Sequence, residues 1–396
     1  MDGISILDEI HGDLGLLLWR SARNVTLWAE TPPEQRASLF PDGAARSRIA
    51  ELQVAEVHPE LRGPLSVLTE LLARPGEVDL LRLVNACRRV AVWAEHRGDL
   101  ATALEFSQAA ALAAPESASL AYAVGRLARR RAEYDRAESW YTRAVVQGRQ
   151  TEDWRTYALA FSGMGNLHMQ RGNYPAARRA HFRCLKVAER RGLLELVGSA
   201  YHDLFGTAVE TGAGSAADEL AVLAFHAYGP RDPRVVRLAY DVAYHWALEG
   251  YFARALTVAA ALLPQMGDES ERAVVHGLIA RAAAGVGDRE RFMAASREAR
   301  VLAEHEGARE TAARALLGVV YGAAHLGEWE LAQDVGMRAV TIARKRNEAR
   351  VLLATEAALE SVHTRRLAVP VPDTESVAAD YLATEFVGAL RAFATV

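Results

Sequence analysis

The stretch VNACRRVAVWAEHRGDLATALEFSQAAALAAPES, Val84 to Ser117, decides the fold. Gly98-Asp99 reads as a turn between two helices, Ala103 and Ala110 fall on the second helix, and Pro115 closes the unit. The spacing is that of a 34-residue helix–turn–helix repeat. The next stretch, Ala118 to Thr151, places Gly125, Tyr134, Ala137, Tyr141 and Ala144 at equivalent positions.

The turn recurs seven times, as Gly98-Asp99, Ala132-Glu133, Gly172-Asn173, Gly212-Ala213, Gly250-Tyr251, Gly287-Asp288 and Gly327-Glu328. Glycine suits the position after a helix C-cap, where positive φ is common, and Asp or Asn beside it can cap the next helix. Ala103, Ala137, Ala177, Ala217, Ala255 and Ala332 each lie five residues past the turn residue and let paired helices approach. Phe292 breaks that rule in the sixth unit. Gly212-Ala213-Gly214 and the lack of an aromatic make the fourth unit the weakest. Turn-to-turn steps of 34, 40, 40, 38, 37 and 40 residues lengthen the later units by about a helical turn or more.

Gly and then Tyr on the first helix, with Ala and then Phe/Tyr on the second, resembles the tetratricopeptide repeat family. The resemblance runs from Val84 to about Arg346. It implies an all-α chain: a right-handed α-solenoid of about seven helical hairpins with helical N- and C-terminal caps. It also implies a concave groove, lined by the first helix of each hairpin, that takes peptides of other proteins. The expected division is residues 1–80 as an N-terminal helical module, 81–346 as the repeats, and 347–396 as a capping helix, linker and tail helix. Longer hairpins resemble those of peptide-sensing and signalling members.

A repeat array overrides the two or three domains that 396 residues suggest, because each hairpin buries its apolar face only on its neighbours. A net charge of −4 argues against nucleic-acid binding. Lys186 and Lys345 are the only lysines; the remaining basic side chains are arginine, which with abundant alanine points to a GC-rich, bacterial genome. Cys87 and Cys184 lie in different repeats and suggest no disulfide framework. The start lacks a basic n-region and Leu14 to Trp19 is too short to span a membrane, so a cytoplasmic location is expected.

Leu14, Leu17, Leu18, Ser21, Val25 and Trp28 recur at helical spacing, which predicts a helix over Asp13 to Glu30. Ala45 to Val57 and Pro64 to Arg74 read as two more, with Pro64 in a first turn. This module reads as a cap on the first repeat or as an effector domain. Beyond a capping helix from Asn347 to about Arg366, 368–373 reads as a stiff proline linker. A final helix, Glu375 to Phe393, has Val377, Tyr381, Leu382, Phe386, Val387, Leu390 and Phe393 on its apolar face, with Asp380 and Glu385 opposite. Packing on the seventh hairpin is its expected place; the groove, or a sister chain in a homodimer through the terminal helices, is the alternative.

Catalytic motifs are not found. Gly163-Met-Gly165 lacks a third glycine and a preceding strand. His181 and Cys184, with His168 and His202, suggest a metal site on paper, but both stand where the repeat wants packing residues. Asp241 and His245, at i and i+4, read as a structural pair. The chain is therefore expected to be no enzyme and to need neither cofactor nor metal.

Carrying the family's inward positions onto this chain places Asn85, Arg88, Arg89, Tyr122, Arg126, Arg129 and Arg130 along the first two hairpins. Asn166 and Gln170 follow on the third, and His202, Asp203, Arg237, Tyr240, Asp241 and Tyr244 on the fourth and fifth. Arg281, Arg314 and Tyr321 complete the set. Arginine forks suit carboxylates, and tyrosines suit binding hot spots. The expected ligand is thus an acidic peptide or protein segment, unless the arginines pair with Glu95 and Glu133. No lysine occupies any of these positions, a departure from the family's chaperone-tail clamp. An adaptor that holds a partner protein is the leading reading. The alternative is a peptide-sensing regulator whose N-terminal module is controlled by the repeats.

Overall fold

The computed structural model describes residues 5–308, 310–346, 348–366 and 377–393, with Ser215 and Glu306 lacking described side chains. The chain divides into two compact units, 1–196 and 197–396. Every regular element among the described residues is helical, and none of these helices is long and apolar enough to cross a membrane. The linker expected over 368–373 lies outside the described residues.

The first unit opens with α1 (Ile6–Glu9), α2 (Gly12–Glu30), α3 (Ala44–Val54) and α4 (Pro59–Ala73). Three hairpins follow: α5 (Leu80–Arg97) with α6 (Leu100–Ala113), α7 (Ala118–Arg130) with α8 (Tyr134–Gln150), and α9 (Trp154–Gln170) with α10 (Tyr174–Arg191). The second unit holds most of α11 (Leu194–Glu210) with α12 (Gly214–Tyr228), then α13 (Arg234–Leu248) with α14 (Phe252–Leu262). It continues through α15 (Glu269–Gly285) with α16 (Arg289–Leu302), α17 (Ala312–His325) with α18 (Trp329–Lys345), α19 (Ala349–His363) and α20 (Val377–Phe393). Seven tandem hairpins make this an all-α solenoid.

The turns share one geometry. Each turn residue is left-handed, from Gly250 at φ 87° to Ala132 at φ 59°. The residue after it donates its N–H to the carbonyl five residues back, as Asp99 does to Ala94 (2.9 Å) and Tyr251 to Trp246 (2.8 Å). Asn173 and Asp288 then cap α10 and α16 by accepting from Ala176 (3.2 Å) and Arg291 (2.9 Å). The six alanines past the turns are fully buried. Phe292 fits because Gly322 faces it on α17: a Cβ there would lie 2.9 Å from the Phe292 ring.

The N-terminal module packs on the first hairpin as a cap does. The Glu9 carboxylate accepts from the N–H groups of Ala101 (2.6 Å) and Thr102 (2.8 Å) at the start of α6. Trp28 Nε1 donates to the Pro75 carbonyl at 2.7 Å. Arg48 is buried and holds Glu51 and Ser21, each at 2.9 Å. Helix α4 starts five residues before the expected Pro64, because Pro59 takes the first turn; Pro64 lies inside the helix.

Helix α20 does not pack on the seventh hairpin. It docks on α12 and α14, the second helices of the fourth and fifth hairpins, and touches α13. Phe386 meets Phe225 edge to face at 5.5 Å, Tyr381 stacks on His226 at 5.6 Å, and Arg254 holds Asp380 at 2.7 Å. Leu382, Phe386 and Leu390 are fully buried there, so the centre of this apolar face is covered within the chain itself, while Val377 is exposed.

Candidate functional site

In the first unit the predicted arginines divide. Arg126 forks onto Glu95 at 2.5 and 2.6 Å, and Arg130 adds a third bond to the same carboxylate at 2.5 Å. The bond from Arg126 holds the Glu95 carboxyl below its ordinary range, against the opposing effect of burial. Pairing with Glu95, the alternative raised by the sequence, therefore occurs, whereas Glu133 binds Arg131 and Arg136 instead. Glu95 stands three residues before Gly98, itself an inward position that the same register reveals. The charge of Arg129 acts on the buried Tyr141 phenol, whose ring lies 5.9 Å from that of Tyr122. Asn85, Arg88, Arg89 and Gln170 are exposed, and Asn166 is half-buried.

The second unit assembles its predicted residues across the first helices α11, α13, α15 and α17. The Asp241 carboxylate accepts from His202 Nε2 and from Arg237 Nε, each at 3.1 Å. Burial opposes its ionisation, yet those two partners win and hold its carboxyl below the ordinary range. Asp241 is thus not paired with His245, which is buried against Phe205 with no hydrogen-bond partner for Nδ1. Tyr240 and Tyr244 stack at 6.2 Å, 20° from parallel. Burial drives the Tyr240 phenol well above its usual range, against the opposing charge of Arg314 on α17. Asp203 is half-buried, and its charge acts on Tyr228.

Arg281, on α15, differs from all of these. It is 9% exposed, and its guanidinium lies 4.3 Å over the Tyr321 ring. Among the described residues it has no carboxylate within ion-pair reach. Burial pulls its pKa down, with only the Tyr244 and Tyr321 phenols opposing. The charge of Arg281 also reaches His325, two residues before Gly327, another inward position that the register identifies. The geometry here is held by direct backbone contact between α15 and α17. A Cβ on Gly318 would lie 2.4 Å from the Gly277 carbonyl oxygen, and one on Gly277 would lie 2.5 Å from that of Ala315.

His181 packs as the repeat's aromatic: its ring fills the space that a Cβ on Gly165 would need, at 2.2 Å. No group of three or more His, Cys, Asp or Glu among the described residues is arranged to hold a metal.

No family model and no curated protein matches this sequence. A signal transduction ATPase with numerous domains from Pyrococcus horikoshii, solved with its tetratricopeptide repeat sensor, aligns at a TM-score of 0.52 and 12% identity over 98% of this chain. The fold is that of the tetratricopeptide repeat. This chain spans 64% of the Pyrococcus chain, just under two thirds. A Rap protein complexed with competence and sporulation factor aligns at 0.44 and 9% identity, over 89% of this chain and 98% of that one. The Rap conjugation regulator of plasmid pLS20, complexed with the Phr* peptide, aligns at 0.42 and 14%, over 87% and 96%.

Proposed function

We propose that this tetratricopeptide repeat chain is a non-enzymatic adaptor that holds an acidic segment of a partner protein on its first-helix face. The supporting observation is Arg281. A buried cation without a counter-charge is costly to keep, and the cost is recovered when a ligand brings the missing carboxylate. Tyr244 and Tyr321 flank that carboxylate's position with amphipathic surface suited to a binding hot spot. Asp241 is already ion-paired with Arg237 and hydrogen-bonded to His202, which weakens its repulsion of an acidic ligand.

The peptide-responsive regulator shares this face but needs the repeats to re-pack. The close backbone approach of α15 and α17 at Gly277 and Gly318 favours the adaptor, because it leaves these two helices little room to re-pack. The test is fluorescence anisotropy of acidic peptides and their Asn/Gln counterparts on the full chain and on Arg281→Gln. Preference for the acidic peptides, weakened on the order of tenfold or more by Arg281→Gln, supports the reading. Equal binding of both peptide sets sinks it.

A further inference from the structure

The third hairpin carries a second basic surface that shares no residue with the first-helix face. Helices α9 and α10 enclose an open pocket of about 590 Å³. Phe161 and His168 line it from α9, and Arg178, Arg179, Phe182 and Arg183 from α10. Arg183 lies 5.4 Å over the Phe161 ring and Arg178 lies 5.2 Å over Phe182. Phe182 is a large apolar side chain at 38% exposure.

Charge sets this pocket apart from its surroundings. Nearby, Arg131 and Arg136 hold Glu133, and Arg171 holds Asp135 and Glu138. Arg178, Arg179 and Arg183 have no carboxylate within ion-pair reach among the described residues. In a chain of net charge −4, this is a concentrated positive patch. A guanidinium stacked on an aromatic ring keeps its in-plane N–H groups free, and these match the fork of a carboxylate. The apolar floor between them suits one aromatic or aliphatic side chain.

We infer that this pocket docks an acidic segment of a partner protein. An apolar side chain seats against Phe161 and Phe182, and flanking carboxylates engage Arg178, Arg179 and Arg183. A peptide fits better than a polynucleotide, because the acidic remainder of the chain repels a long polyanion, whereas a short segment meets only the local patch.

The probe is a fluorescein-labelled acidic nonapeptide with a central phenylalanine, titrated into the full chain. Its counterparts carry Gln for Glu or alanine for the phenylalanine. Arg179→Glu/Arg183→Glu tests the charged half and Phe182→Ala the apolar half; all three positions are exposed, and circular dichroism checks the fold. Each series is repeated on Arg281→Gln, so loss at this pocket and loss at the first-helix face are read separately. The expected result is a loss on the order of tenfold or more in the double variant and with the Gln probe, and a smaller loss for Phe182→Ala. Three results overturn the proposal: no binding by the native chain, unchanged affinity in the double variant, or an oligonucleotide or nucleoside triphosphate that displaces the probe and binds more tightly.

Discussion

The Glu9 carboxylate accepts both the N–H of Thr102, at 2.8 Å, and its hydroxyl, at 2.9 Å, across 93 residues of sequence. Helix α6 has no cap of its own, because the Asp99 side chain is held by Arg97 instead. A distant carboxylate thus satisfies the orphan N–H groups and faces the positive end of the helix. Glu9→Ala should lower stability by about 1–2 kcal/mol. Urea unfolding measures this, and an unchanged midpoint would show that the cap is dispensable.

Arg281 predicts opposite effects on stability and binding. Arg281→Met keeps the volume and removes an uncompensated buried charge, so the free protein should gain roughly 1 kcal/mol while acidic-peptide affinity drops. A variant both less stable and unimpaired in binding would contradict the assignment.

Glycines of the second unit should respond to alanine in opposite directions. Gly318→Ala drives a Cβ into the Gly277 backbone, which cannot move aside as a side chain would, and should cost about 2–3 kcal/mol. Gly206, inside α11, has nothing within 4 Å of its would-be Cβ. Gly206→Ala should stabilise by about 0.5–1 kcal/mol through helix propensity. Thermal melts of the two variants decide the matter, and shifts of the same sign would refute the packing.

Acid should weaken the second unit. Burial holds His245, His276 and His325 below the ordinary imidazole value. Below about pH 6.5 the unfolded chain therefore takes up protons that the folded chain refuses, and stability falls as pH drops from there toward the folded values. Melting temperatures at pH 7.5, 6.5 and 5.5 should decline in order, and less steeply in His245→Leu. A flat profile would exclude these groups as the cause.

The thiol of Cys87 is fully buried, and burial pushes it up to about 12. It should resist Ellman's reagent in the native protein and react fully in denaturant. Rapid native labelling, checked by peptide mapping, would disprove that burial.

Much of this fold is legible locally because turns and small residues are local signals. Gly98, Gly172 and Gly327 need positive φ, and Ala103 or Ala255 needs a close neighbour, so each announces itself in the sequence. The pairing of Arg126 with Glu95 is open to the sequence too, since the repeat register gives both residues positions expected to face inward on adjacent first helices. The docking of α20 was not. Its apolar face says that something covers it, but nothing in the sequence specifies Phe225 over any other buried aromatic. Likewise Arg281 reads like its neighbours until packing shows which arginines have carboxylates beside them.

Repeat stacks ordinarily fold as strings of near-neighbour contacts. Helix α20 makes an exception, since Gln265 on the α14 side waits for the Leu390 carbonyl 125 residues further on. At about 5–20 residues per second, a ribosome needs roughly 6–25 s to close that distance. During that interval the apolar surface around Phe225 has emerged without its cover. The nascent chain therefore carries a timed sticky patch, and slow codons between these points would lengthen its exposure to chaperones and to misassembly.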